Sequence, residues 1–195
     1  MQRVRVVKVV DGDTVHVIPY REGNLKDDDF DDVIKVRLKY IDAPESKQEY
    51  GVESTAALND LLFPSKLIYL ESEEEPDKYG RTLGRLWTMD HDLSDLPKDR
   101  KDVNYLMVHG GHAWVYRKYK FPAHYDQAEQ YAKSNKPAMG RMGNLWANAQ
   151  AEPPWEWRKR HRKTRGRKHS PPRYIDQEIG KTQTFPTSVI VTSFY

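Results

Sequence analysis

The 195-residue chain contains no cysteine. That excludes a disulfide scaffold, cysteine-ligated zinc and a thiol nucleophile. No apolar run approaches 18 residues, which excludes a transmembrane helix. Aliphatic and phenyl side chains are scarce: Val, Ile, Leu and Phe make up 40 of the 195 residues. That is close to the composition at which chains stop folding, but the net charge is only +3, so a core is expected over part of the length. The N-terminus lacks the apolar centre of a signal peptide, because Arg3, Arg5 and Lys8 interrupt it. A cytoplasmic location is expected if Met1 is the natural start, and secretion if the chain is a mature form.

What is present is unevenly distributed. Residues 1–157 carry 22 Lys/Arg against 27 Asp/Glu, whereas residues 158–195 carry 10 against 2. An acidic body, 1–157, is therefore expected to precede a basic, flexible tail, 158–195. Eight of the eleven residues Arg158–Lys168 are Lys or Arg, a pattern suited to polyanion contact or to a solubilising tail. Within the body, residues 2–10 and Thr14–Tyr20 read as a hairpin around Asp11-Gly12-Asp13-Thr14. Val33–Ile41 alternates as one strand, with Ile34, Val36, Leu38 and Tyr40 on one face and Lys35, Arg37 and Lys39 on the other. Val52–Phe63 predicts a helix with Val52, Ala56, Leu58, Leu61 and Leu62 inward. Short strands follow at Leu67–Leu70 and Arg81–Met89, and helices at Val103–His109, capped by Asp102, and Ala123–Asn135. Short strands with interspersed helices and no βαβ alternation predict an α+β fold, a small barrel with helices.

Three segments bear chemistry: Val10-Asp11-Gly12-Asp13-Thr14-Val15, Arg37-Leu38-Lys39-Tyr40-Ile41-Asp42-Ala43-Pro44-Glu45, and Asp77-Lys78-Tyr79-Gly80-Arg81. Each alone is an ordinary turn with solvated charges. Together they offer more. Asp13 and Asp42 supply carboxylates at strand ends, the oxygen donors that hard divalent cations take. Glu45 follows Asp42 by three residues and is placed to orient a water. Arg37 and Arg81 are planar donors suited to phosphoryl oxygens.

On these residues the chain resembles the staphylococcal nuclease family, the calcium-dependent thermonucleases. The motifs occur in family order over about Arg5 to Trp157, and Tyr50–Ser54, Asp102–Asn104, Gly140–Trp146 and Pro153–Arg158 add to the likeness. The resemblance implies a five-stranded OB-fold barrel with about three helices. It implies one Ca²⁺ ion held by Asp13, Asp42 and the carbonyl of Ala43, where the best-known member has threonine. It implies Glu45 as the group that positions or deprotonates water, and Arg37 and Arg81 on the scissile phosphate. Lys78 and Tyr79 fall where family members approach a terminal phosphate, and Arg117 and Tyr119 near two substrate-stacking tyrosines. The activity implied is endonucleolytic cleavage of DNA and RNA, leaving 5′-hydroxyl and 3′-phosphate ends, by a monomer without membrane contact. The alternative class is an OB-fold module that grips nucleic acid or protein without cutting.

Overall fold

A computed structural model describes residues 1–21, 32–63, 68–73, 75–89, 100–135 and 143–165. The elements in chain order are β1 (Gln2–Asp11), β2 (Thr14–Pro19), β3 (Ile34–Leu38), β4 (Ile41–Asp42), α1 (Gly51–Leu62), β5 (Ile68–Ser72), β6 (Thr82–Met89), β7 (Arg100–Asp102), α2 (Val103–His109), β8 (Trp114–Val115), α3 (Ala123–Ser134) and α4 (Pro154–Arg165), with a 3₁₀ turn at Leu145–Ala147. No helix among the described residues is long and apolar enough to cross a membrane. Leu67 of the expected strand, the start of the Gly140–Trp146 segment and the basic run beyond Arg165 lie outside the described residues.

Strands run in the order β3-β2-β1-β5-β6-β7, and β3 also pairs in parallel with β6. That last pairing closes five strands into a barrel, removing the free edges an open sheet would leave. β7 extends the sheet beyond the ring. Closure requires β1 to bend, and its pairing with β2 slips between Val6 and Lys8 and again between Val9 and Asp11. Val4, Val15, Val17, Val36, Leu38, Ile68, Leu70 and Leu86 fill the interior, and Leu58, Leu62, Val103, Met107, Val108, Tyr125 and Ala128 carry the same core outward under α1, α2 and α3. The barrel, the α+β class and the first three helices are as expected; α4 is a fourth helix.

The stretch expected as one strand over Val33–Ile41 is broken. β3 ends at Leu38, and Tyr40 adopts a left-handed backbone, φ 71°. The break inverts the alternation, so Ile41 and Asp42 turn inward and pair with β8, Asp42 opposite Trp114. Tyr40 is held there by the Tyr116 amide, which donates to its carbonyl at 2.8 Å, and by edge contact with Tyr125.

The inward face of α1 also differs from expectation. Gly51, Ser54, Leu58 and Leu62 are buried, whereas Val52 is 70% exposed and Ala56 faces solvent. The helix presents Ser54 to the barrel because the Ser54 hydroxyl donates to the His112 carbonyl at 2.8 Å. Beyond residue 157, where a flexible tail is expected to begin, the chain continues as helix to Arg165. Pro153-Pro154 opens that helix, since proline suits the first turn, and Glu156 complements the positive end.

One buried side chain ties these parts together. Asn104 at the start of α2 donates to the carbonyls of Lys39 and Gly84 at 3.0 and 3.1 Å and accepts from the Leu86 amide at 3.1 Å. It ties the 39–40 turn to β6, alongside the Lys39 amide, which donates to the same Gly84 carbonyl at 2.8 Å. Replacing Asn104 with Ala is expected to lower unfolding stability by about 3 kcal/mol, the scale of leaving several buried polar groups unpaired. Urea denaturation of the pure protein measures it.

Candidate active site

The turn between β1 and β2 places two acids side by side. Asp11 accepts from the Asp13 amide at 3.1 Å, which folds the turn back on itself. Gly12 lies against α1 so closely that a Cβ would collide with the Ser54 hydroxyl and lie 2.7 Å from the Ala43 Cβ. Glycine is thus required by the approach of helix and strand. Asp13, 1% exposed, is fixed from several sides: Thr14 Oγ1 donates to it at 3.0 Å, and the Ala43 amide donates to its second oxygen at 2.7 Å. Its backbone carbonyl accepts from the Leu38 amide at 2.7 Å, locking the turn to the end of β3.

Arg37 on β3 pairs across the sheet with Thr14, so its side chain emerges beside Asp13. One guanidinium nitrogen donates to Asp13 and the other to Asp42 at 2.6 Å. A single arginine therefore bridges two buried carboxylates contributed by different turns. Burial pulls the Arg37 pKa down against the attraction of Asp42 and Asp11, and nearby Arg81 pulls the same way. Guanidinium starts so high that it stays charged. Burial also raises the Asp11 carboxyl, opposed by Arg37, Thr14 and Arg81.

Glu45 stands at the rim, its side chain 34% exposed. A tight turn fixes its backbone: the Gln48 amide donates to the Glu45 carbonyl at 2.8 Å, and the Glu45 amide to Gln48 Oε1 at 3.2 Å. Gly51 lets α1 begin directly against that turn, since a Cβ there would collide with the Glu45 carbonyl. Arg158 of α4 completes the cluster. It donates to both Asp42 oxygens, at 3.1 and 2.6 Å, and to Glu45 at 2.7 Å.

The structure thus gathers Asp13, Arg37, Asp42, Ala43 and Glu45 in one connected set. Arg81 is adjacent, within electrostatic range of Arg37 and Asp11, but its hydrogen bonds go elsewhere. It donates through Nε and Nη2 to Asp77 at 2.9 and 2.8 Å, and Asp77 also accepts from the amides of Tyr79 and Arg81. Those bonds hold the Asp77 carboxyl below its ordinary value although burial acts the other way. Lys78 and Tyr79 project from the same turn, with Tyr79 70% exposed. Arg117 and Tyr119 lie apart from this set in their contacts. Arg117 is engaged by Glu129 and Asp126 of α3, and exposed Tyr119 meets Tyr116 edge-on.

Among the described residues no three His, Cys, Asp or Glu side chains converge as metal ligands. A cation here would rest on two carboxylates, completed by backbone and water oxygens. The donor chemistry suits that: Asp13 and Asp42 are buried, converge on one guanidinium, and are hard oxygen donors.

Sequence reasoning missed Gln48, assigned Arg158 to the tail, and gave no anchoring role to Asp11, Thr14 and Asp77, which lie within the segments it singled out. The Pro-Pro-Trp-Glu-Trp run was the signal for Arg158, since it carries the marks of a helix start.

Two outcomes follow. Gly12→Ala should cost about 2 kcal/mol through overpacking against Ser54 and Ala43, and combining it with Ser54→Gly should recover part of that in the same denaturation assay. Glu129 is buried, which raises its carboxyl, but bonds from Arg117, Lys133 and the Val115 amide outweigh this and lower it. A depressed carboxylate stabilises the fold above its ordinary value of 4.5, and that stability is lost as pH falls through the folded value. Acid unfolding curves should lose part of their slope below pH 4.5 in Glu129→Gln.

Residues 35–148 match the family described as staphylococcal nuclease homologue. The chain is 35% identical over 157 residues to a micrococcal nuclease of Shigella flexneri, covering 80% of each chain. It is 34% identical over 157 residues to protein ParB of Escherichia coli, covering 80% of this chain and 79% of that one. An uncharacterized endonuclease of Haemophilus influenzae is 33% identical over 158 residues, 81% of this chain and 74% of its own. With the barrel, the order of the motifs and these relatives in agreement, the chain belongs to the staphylococcal nuclease family.

Proposed function

We propose that the protein is a calcium-dependent endonuclease that hydrolyses phosphodiester bonds in DNA and RNA and leaves 5′-hydroxyl and 3′-phosphate ends. The observation that carries this reading is the convergence of Asp13, Arg37, Asp42 and Glu45 at one end of the barrel, with Arg81 alongside. Relatives named as nucleases support it.

In this reading Asp13, Asp42 and the Ala43 carbonyl hold one Ca²⁺ ion. The ion supplies Lewis-acid neutralisation of the phosphate charge. Every other contribution comes from the chain. Glu45, on its fixed turn at the rim, orients water for in-line attack and accepts its proton, an effect worth about 10²–10⁴ in rate. Arg37 and Arg81 face the phosphoryl oxygens, where charge grows toward the transition state. Arg37 is held by Asp13 and Asp42 and Arg81 by Asp77, so each acts on the phosphate as a fixed positive charge beside the site. Asp77 aims Arg81 through two guanidinium bonds and a closed turn. Lys78 and Tyr79, on that turn, approach a terminal phosphate of the substrate in this reading. The basic run Arg158–Lys168, helical as far as Arg165, adds charge that attracts polyanions in a salt-dependent way.

The test is cleavage of single-stranded and plasmid DNA by pure protein, in Ca²⁺ and in EDTA. Wild type should cut only with Ca²⁺. Arg81→Ala should lose at least about 10²-fold in rate, the cost of one transition-state donor. Glu45→Gln should fall by a similar factor. Binding without cleavage in Ca²⁺ and other divalent ions alike would instead make the chain a binding module.

A further inference from the structure

Arg158 is a charged member of the site that comes from outside the barrel and its turns. It stands one turn into α4, with its side chain 38% exposed, yet reaches the buried Asp42 and the rim residue Glu45 together. Fastening the helix does not explain that reach. The segment entering α4 is anchored independently of Arg158: Gln48 Nε2 donates to the Glu152 carbonyl at 2.5 Å. Trp157 and Arg160 also line a groove of about 890 Å³ against Tyr50, Trp114 and Leu145.

Charge explains it better. Asp13, Asp42 and Glu45 bring three negative charges, and Arg37 balances one. Arg158 balances a second and leaves the group at −1. A divalent cation in its place would bring the group to zero. The atoms make the two occupants exclusive. Arg158 takes both oxygens of Asp42 and Oε1 of Glu45. A cation bound through Asp42, with Glu45 turned to its water, needs those same oxygens. A guanidinium is always charged, so Arg158 is a firm competitor for these oxygens. Its side chain is 38% exposed, which gives it access to water when it leaves them.

Resting on the cation reading above, we propose that Arg158 is the resident countercharge of the site and that a hard divalent cation enters by displacing it from Asp42 and Glu45. Cation binding and release of the α4 arginine are then one exchange. If Arg158 is seated about nine-tenths of the time, it weakens apparent cation affinity about tenfold, because only the vacated fraction is competent to bind.

The experiment is calorimetric titration of Ca²⁺ into the full chain without nucleic acid, for wild type, Arg158→Gln and Arg158→Lys, each checked for folding by circular dichroism. Arg158→Gln should bind Ca²⁺ about tenfold more tightly. Arg158→Lys should fall between, since one ammonium cannot bridge both carboxylates as a guanidinium does. In wild type, the Nε–H NMR signal of Arg158 should shift with the same Ca²⁺ midpoint as the calorimetry, a readout independent of any variant. Unchanged or weaker Ca²⁺ affinity in the folded variants, or an Arg158 signal that ignores Ca²⁺, overturns the exchange. If wild type still cleaves DNA with Ca²⁺ in that case, the nuclease reading survives alone. Absence of Ca²⁺ binding in every protein overturns both.

Discussion

Two carboxylates cannot stay ionised in a protein interior at contact range unless a cation stands between them, and in this chain Arg37 is that cation. It donates to Asp13 with one nitrogen and to Asp42 with another. The two acids belong to different turns, 29 positions apart in sequence, so the bridge is also a tertiary tie. Removing one partner from a buried ion pair typically costs about 3–5 kcal/mol, because the remaining charge is stranded. The same low dielectric makes the assembled group a strong local field. The rest of the barrel end is shaped to keep this bridge intact. The parallel pairing of β3 with β6 fixes the strand that carries Arg37. Gly12 lets the Asp13 turn press against α1, and the left-handed Tyr40 turns Asp42 inward.

Much of this was legible in the sequence because it depends on local rules. Alternation located β2 and β3, the Asp-Gly-Asp-Thr turn located the hairpin, and Asp102 located the start of α2, where its side chain accepts from the Tyr105 amide. The motif residues Asp13, Arg37, Asp42 and Glu45 were identified as a set and are found in one contact network. The break at Tyr40 was not legible. Alternation assumes a continuous pleat, and nothing in the residues 38–41 says that one of them will take φ 71°. That conformation is imposed by β8 and α3, through the Tyr116 amide and the Tyr125 ring. The face of α1 was misjudged for a related reason. Hydrophobicity placed Val52 inside, but the position against the barrel needed a small residue and a hydroxyl, and Ser54 supplies both.

Arg158 shows a different limit. In sequence it opens a run dense in lysine and arginine, and such a run reads as a solvated tail. Its neighbours in space are 113 and 116 positions away. Only the fold brings the first turns of α4 over the barrel end, through the Gln48 bond to the Glu152 backbone. Arg117, likened in position to a substrate-stacking residue, is placed by the fold beside an acid: buried Glu129 needs cationic partners, and Arg117 and Lys133 serve that need.

The three arginines of the site differ in how freely each could change partners, and that difference orders their roles. Arg37 is enclosed, its side chain 16% exposed, and it holds two acids that have almost no access to water. Moving it would strand both, so it acts as a fixed charge. Arg81 is held just as deliberately, but by an acid outside the cluster. Asp77 takes its guanidinium and the turn amides together, so Arg81 is paired outside the cluster while staying within electrostatic range of Arg37 and Asp11. Arg158 lies between these extremes. It pairs with the site's own acids, yet it is more than twice as exposed as Arg37 and springs from a helix anchored by other contacts. Of the three its side chain is the most exposed, 38% against 27% for Arg81 and 16% for Arg37. The site thus combines two arginines set by short local contacts with one brought in from a distant helix, and all three converge on the same end of the barrel.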